Sequence, residues 1–178
     1  MRSSLFVSAA LAIVMTFAGL TLASPQATSY KLTSTLKASS EVPKPTGVRV
    51  GATGTFTGTA VVLASSRARI TWKLTFSKLT GRAAAAHIHI GKVGKAGNVM
   101  VALCGPCNSG RRGTATISRT QLGTIRAGRA YVNIHTAKNA AGEIRGQVKA
   151  GKPTVSGPPP PAPPAPPPPP YDPGDPYP

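Results

Sequence analysis

Residues 69–76, RITWKLTF, alternate without exception: Arg69, Thr71, Lys73 and Thr75 on one side, Ile70, Trp72, Leu74 and Phe76 on the other. An extended strand sends successive side chains to opposite faces. This octapeptide therefore predicts a half-buried strand with an apolar inner face and a solvated outer one. The same period recurs along the chain. Tyr30, Leu32, Leu36 and Ala38 alternate with Lys31, Thr33, Thr35 and Lys37, and residues 54–63 put Phe56, Ala60 and Val62 on one side. Pro43 and Pro45 end the first of these, because neither can donate to a ladder. Further strands are expected at 83–90, 98–103, 113–118, 131–136 and 143–149. Ala83 to Ala86 alone would favour helix, but four residues between Gly81 and a β-branched run are too few to nucleate one. One helical turn is predicted at 118–123, with Ser118 as its cap and Gln121 three residues on. Eight short strands separated by glycine-rich turns imply an all-β fold, a single antiparallel sandwich or barrel.

That domain occupies residues 24–152. Before it, Arg2, the apolar run from Leu5 to Leu22 and the small residues around Ala23 read as a secretory signal peptide spanning 1–23. An uncleaved membrane anchor is the competing reading, since the run nearly spans a bilayer. After it, residues 153–178 hold 15 of the 19 prolines and are expected to form a disordered, extended tail that cannot pack into a core. Spacer, matrix-embedded element and inert end all remain open for it.

Charge narrows the partners. Residues 24–152 contain 20 Lys or Arg against only Glu41 and Glu143. A field of that sign attracts polyanions. Export excludes nucleic acid as the physiological partner and, once the signal is cleaved, a membrane; it favours an acidic polysaccharide or a cell-wall or matrix polymer. A protein ligand is also open, as is a charge that serves solubility alone. The basic residues are scattered singly apart from Arg111 and Arg112, so no compact phosphate-reading motif is present. The two cysteines, Cys104 and Cys107, enclose Gly-Pro. In an exported chain that spacing reads as a local structural disulfide, with redox chemistry or metal ligation as the alternatives. Gly91, Gly94 and Gly97 do not have the spacing of a phosphate-binding loop and predict instead a connection needing positive φ at several positions.

All three histidines, His87, His89 and His135, lie in predicted strands. His87 and His89 share a face by alternation. If residues 137–141 form the hairpin loop, His135 pairs with Glu143, Asn133 with Arg145 and Tyr131 with Gln147, all on one polar face at about 5 Å spacing. Three imidazoles so arranged can ligate copper or zinc, with Glu143 orienting a ring. Alternatively they are hydrogen-bonded structural groups. No catalytic residue is nominated: the domain lacks a carboxylate pair, and no nucleophile has an oriented base. No cofactor is expected, copper or zinc being the alternative.

Three stretches carry a family resemblance: AAHIHIGKVGKAG at 85–97, YVNIHT at 131–136 and GEIRGQV at 142–148. Together with LKASSEVP at 36–43 and the strand at 70–76, they resemble the CHRD domain first recognised in chordin, an extracellular antagonist of bone morphogenetic proteins. The resemblance implies a secreted all-β domain with a binding or structural role. The His-x-His strand is also similar, more weakly, to the copper strand of Cu,Zn superoxide dismutase. That enzyme needs additional histidines and an aspartate, and this chain has just three histidines. With one copy of the domain and no cysteine-rich growth-factor module, growth-factor antagonism does not carry over. The sequence thus reads as a secreted, non-enzymatic binding protein associated with matrix, cell wall or acidic polymers, or alternatively as a metal-binding β-protein.

Overall fold

The alternating segments pair first with their neighbours in sequence. β1 (Ala27–Lys37), β2 (Thr53–Val62) and β3 (Arg67–Ser77) form an antiparallel meander, with Leu32 opposite Gly58 and Gly58 opposite Trp72. The computed structural model describes residues 26–63 and 66–157. The expected signal peptide and the proline run from residue 158 lie outside them.

β4 (Ala83–Ile90), β5 (Val99–Cys104), β6 (Arg111–Ser118), β7 (Ala130–Thr136) and β8 (Ile144–Gln147) complete the sheet in the order β5-β4-β7-β8-β1-β2-β3-β6. Of the sandwich and barrel alternatives, the sheet adopts a nearly closed, barrel-like form. A ninth strand, β9 (Lys149–Ser156), follows β8 along the same edge of β1, from Thr33 opposite Lys149 to Ala27 opposite Ser156. The ladder therefore runs four residues past the boundary expected at Lys152. Pro153 is accommodated because β9 pairs β1 alone, so its missing amide faces no second partner.

Inside the sheet, Leu32, Leu36, Phe56, Ile70, Leu74 and Ile88 are fully buried, each worth roughly 1.5–3 kcal/mol relative to exposure. Trp72 is the largest of the core side chains, and glycines flank it in register on both sides, Gly58 on β2 and Gly113 on β6. Its ring occupies the space that a side chain at Gly113 would need. The single α-helix among the described residues, α1 (Arg119–Arg126), begins at the expected cap. Ser118 accepts from the Gln121 amide at 3.1 Å, and Gln121 accepts from the Ser118 amide at 2.8 Å. It continues a turn beyond the expected one, because Leu122 and Ile125 fall on one face and bury against the core.

β7 breaks the half-buried rule. Ala130 to Ile134 are buried at every position, outer as well as inner. Something covers the outside of the sheet there, and the candidate site lies beneath that cover.

Candidate functional site

β7 lies between β4 and β8, so its outward residues meet those of both neighbours. Tyr131 opposes His89 on one side and Gln147 on the other; Asn133 opposes His87 and Arg145. The Tyr131 and Gln147 pair and the Asn133 and Arg145 pair have the register given by the hairpin-loop argument. From the β4 side the His89 ring stacks on Tyr131, with centroids 5.0 Å apart and planes 9° from parallel. From the β8 side the Arg145 guanidinium sits 4.2 Å from the Tyr131 centroid, a cation–π contact.

Three loops roof this layer. Residues 91–97 are held by four side chains beneath them. Gln147 donates to the Gly91 carbonyl at 2.8 Å, Arg145 to that of Lys95 at 3.1 Å, and His89 Nδ1 lies 2.9 Å from that of Gly97. Tyr131 accepts the Gly97 amide at 3.1 Å. Residues 137–142 and the segment around Glu41 close the remaining sides, through Asn133 to Ala141 and to Glu41. The glycines of the 91–97 loop serve this contact. Only Gly94 has a positive φ, 75°. Gly97 is needed because a Cβ there would sit 1.7 Å from the Ile90 carbonyl oxygen. The expectation of positive φ at several positions is corrected accordingly: close approach, not handedness, requires the outer glycines.

His87, His89 and His135 converge at the edge of this layer. One ring nitrogen from each lies within 4.8 Å of the others. His87 Nδ1 is 3.2 Å from His135 Nε2, and His135 Nδ1 is 2.9 Å from the Ala140 carbonyl. His89 Nε2 is buried with no hydrogen-bond partner. Burial holds all three imidazoles below their ordinary pKa. Like charges at His135 and His89 add to this for His87. For His89 the Gly97 bond opposes it and His135 and Arg145 reinforce it, while for His135 the Ala140 bond opposes it. Each shift favours the uncharged ring, the form in which imidazole ligates zinc or copper.

The spacing of this histidine strand, the facing YVNIHT strand and the Gly-Glu-Ile-Arg hairpin arm is a family pattern, and comparison with protein families matches residues 32–148 to the CHRD domain. The chain belongs to the CHRD domain family. Neither comparison with curated proteins nor comparison with solved structures gives a match. At family level the match supports a non-enzymatic binding domain of extracellular type. CHRD domains occur in secreted proteins, and among the described residues no helix is long and apolar enough to cross a membrane.

Glu143 does not join the polar face of this CHRD domain, and its expected pairing with His135 is corrected. Glu143 lies in a bend just before β8, outside the regular ladder. Glu143 consequently sends its carboxylate to the other side, where it accepts from the Thr136 hydroxyl at 2.6 Å and from both donors of Thr80. Burial pushes this carboxyl up, and the bonds from Thr136, Thr80 and Asn139 outweigh it, leaving the pKa below its ordinary value. Glu143 therefore orients no imidazole; the backbone carbonyls of Gly97 and Ala140 do so instead. The domain's other acid, Glu41, is a participant that sequence reasoning passed over. It is fully buried under the roof, 3.5 Å from Asn133. Burial raises its pKa to about 6, against the Val42 amide and the charges of Arg145 and Lys44. Being one of only two acids in so basic a domain is the signal that marks it.

Elsewhere in the CHRD domain, Cys104 and Cys107 form the disulfide expected of them. With Glu41 and Glu143 both buried, no carboxylate of the described residues reaches the surface. The outer face of β1, β2, β3 and β6 is built of threonine and cations in register. One row crosses five strands as Lys149, Thr33, Thr57, Lys73 and Arg112. The next runs Lys31, Thr59, Thr71, Thr114.

Proposed function

We propose that this CHRD domain is an exported binding module for acidic polysaccharide of the cell wall or matrix, engaged through the outer face of β1, β2, β3 and β6. The observation that carries the reading is the five-strand row from Lys149 to Arg112, on a domain whose two carboxylates are both buried. Adjacent strands lie about 4.8 Å apart and same-face residues about 6.8 Å apart. The face is therefore a grid of hydroxyls, able to donate to and accept from sugar hydroxyls, edged by ammonium and guanidinium groups for carboxylates or sulfates. A polymer laid across it gains many weak contacts at once, none of which requires a deep pocket.

The test separates this face from bulk charge. Binding to polygalacturonate is measured at physiological salt, with neutral dextran as control. Replacing Lys31, Lys73 and Arg112 together by Gln is expected to weaken binding at least about tenfold, because three charges facing the polymer are lost. Replacing the exposed Arg82, Lys92 and Lys138 together by Gln removes the same charge from loops off this face and is expected to change it little. Equal losses in the two triple variants would reduce the interaction to net charge and overturn the reading.

A further inference from the structure

We infer that His87, His89 and His135 form a trihistidine site for one borderline divalent ion, Zn²⁺ or Cu²⁺. This stands on the outer layer of β4 and β7 and is independent of the polysaccharide reading.

The protonation pattern makes the argument. A backbone carbonyl can only accept, so the Nδ1 atoms of His89 and His135 carry the protons shared with Gly97 and Ala140. In the neutral rings both Nε2 atoms are then lone pairs. His135 Nε2 receives a hydrogen from His87 Nδ1. His89 Nε2 receives none, although the residue is only 8 % exposed. A cluster built solely for hydrogen bonding would place a donor against that buried lone pair. Instead, two of the three rings have the far-side hydrogen bond to a carbonyl that fixes tautomer and orientation in histidine metal sites.

The donor set selects the ion. Three imidazole nitrogens with no carboxylate or thiolate suit zinc and copper and disfavour magnesium and calcium, which take oxygen ligands. Glu143 faces the other way, and Glu41 bonds Asn133 rather than a histidine. Tetrahedral ligation with bonds of about 2.0–2.1 Å sets the ligand nitrogens about 3.3 Å apart. The present spread of up to 4.8 Å closes to that by ring rotation, chiefly of the half-buried His87. His87 presents Nδ1 to the ion by moving its proton to Nε2, so no net proton is released when all three rings begin neutral. The partly exposed side, between His87 and His135, leaves a fourth position for water or an anion.

The test uses the full exported chain without a histidine tag, dialysed against Zn²⁺ or Cu²⁺ and analysed for metal content and binding isotherm. One ion per chain is expected. His89→Gln and His135→Gln are expected to lose it, and His87→Gln to raise the dissociation constant at least about tenfold. Circular dichroism verifies that each variant is folded. Because His89→Gln could unsettle the roof, a readout on the unaltered chain accompanies it: Cu²⁺ should give an electron paramagnetic resonance spectrum with three coordinated nitrogens, and Zn²⁺ should shift the nitrogen resonances of all three imidazoles. Absence of ion binding by the folded chain, binding unchanged in the variants, or spectral shifts confined to one ring would each overturn the site.

Discussion

Thr80 donates both its backbone amide, at 2.7 Å, and its hydroxyl, at 2.5 Å, to the carboxylate of Glu143. Two further donors, the Thr136 hydroxyl and the Asn139 amide, converge on the same group. A fully buried carboxylate with four donors is a satisfied one, and it ties the connection between β3 and β4 to the turn after β7. Removing it strands those donors. Glu143→Ala is expected to cost about 3 kcal/mol or more in urea denaturation. Glu143→Gln should cost a comparable amount, since its NH₂ faces hydroxyls and amides that are themselves donating. Its depressed pKa means the contribution of Glu143 is complete above the ordinary carboxyl value near 4.5 and is lost as pH falls through the lower folded value.

Glu41 predicts the opposite slope. Its pKa stands at about 6 in the folded chain against 4.5 unfolded. Below pH 4.5 the group is protonated in both states and neither helps nor harms. Between 4.5 and 6 the unfolded chain ionises first and is favoured by it; above 6 the penalty is complete, at most about 2 kcal/mol. Glu41→Gln removes that term. The variant is expected to gain stability relative to the natural chain as pH rises from 4 to 7, measured by denaturant midpoints at each pH. A difference that stays flat across that range would contradict a buried, strained carboxylate.

How these two acids differ also marks where sequence reasoning reaches its limit. Period-two patterning located eight strands, and one loop length set the β7–β8 register, because both depend on local geometry that the chain carries in its spacing. Alternation then assigned Glu143 to the histidine side, and there it failed. Glu143 stands in a bend ahead of β8, outside the regular ladder, and there parity of position no longer tells the face. β9 was hidden for a different reason: Lys149 to Ser156 offer no apolar alternation, and Pro153 argues against a strand anywhere but at an edge. The roof over Tyr131 and Asn133 is tertiary. Nothing in the spacing of Gly91, Gly94 and Gly97 announces that this loop folds back on the outside of the sheet.

Trp72 and Gly113 supply a test of the core. A Cβ at Gly113 would lie 2.5 Å from Trp72 Cζ2 and 2.9 Å from Cε2, in the body of a rigid ring that has no flexible end to yield. Gly113→Ala is therefore expected to destabilise by about 1–3 kcal/mol, as overpacking does, despite the higher strand propensity of alanine. Gly123→Ala, where a Cβ meets nothing within 4 Å, should be neutral or stabilising in the exposed helix. Thermal denaturation of the two variants side by side checks the contrast.

Tyr131 predicts how far the roof depends on a single hydroxyl. The Tyr131 hydroxyl accepts the Gly97 amide at 3.1 Å and donates to the Gly97 carbonyl at 3.4 Å, while the ring stacks on His89 and carries the Arg145 guanidinium. Tyr131→Phe deletes both hydroxyl contacts and keeps the two made by the ring. It should cost about 1 kcal/mol, and the loss should be local. Amide exchange at Gly97 is expected to rise about fivefold, the equivalent of that energy, with the amides of Ile134 and Leu74 unchanged. Tyr131→Leu removes the ring as well and forfeits the stacking and cation–π terms, about 0.5–1.5 kcal/mol more for the stacking alone. In that variant the exchange should spread to Gly91 and Lys95, because Arg145 and Gln147 hold those residues from beneath the same layer. Equal exchange at Gly97 in the natural chain and in Tyr131→Phe would mean that the imidazole of His89, bonded to the Gly97 carbonyl, holds the loop without the phenol.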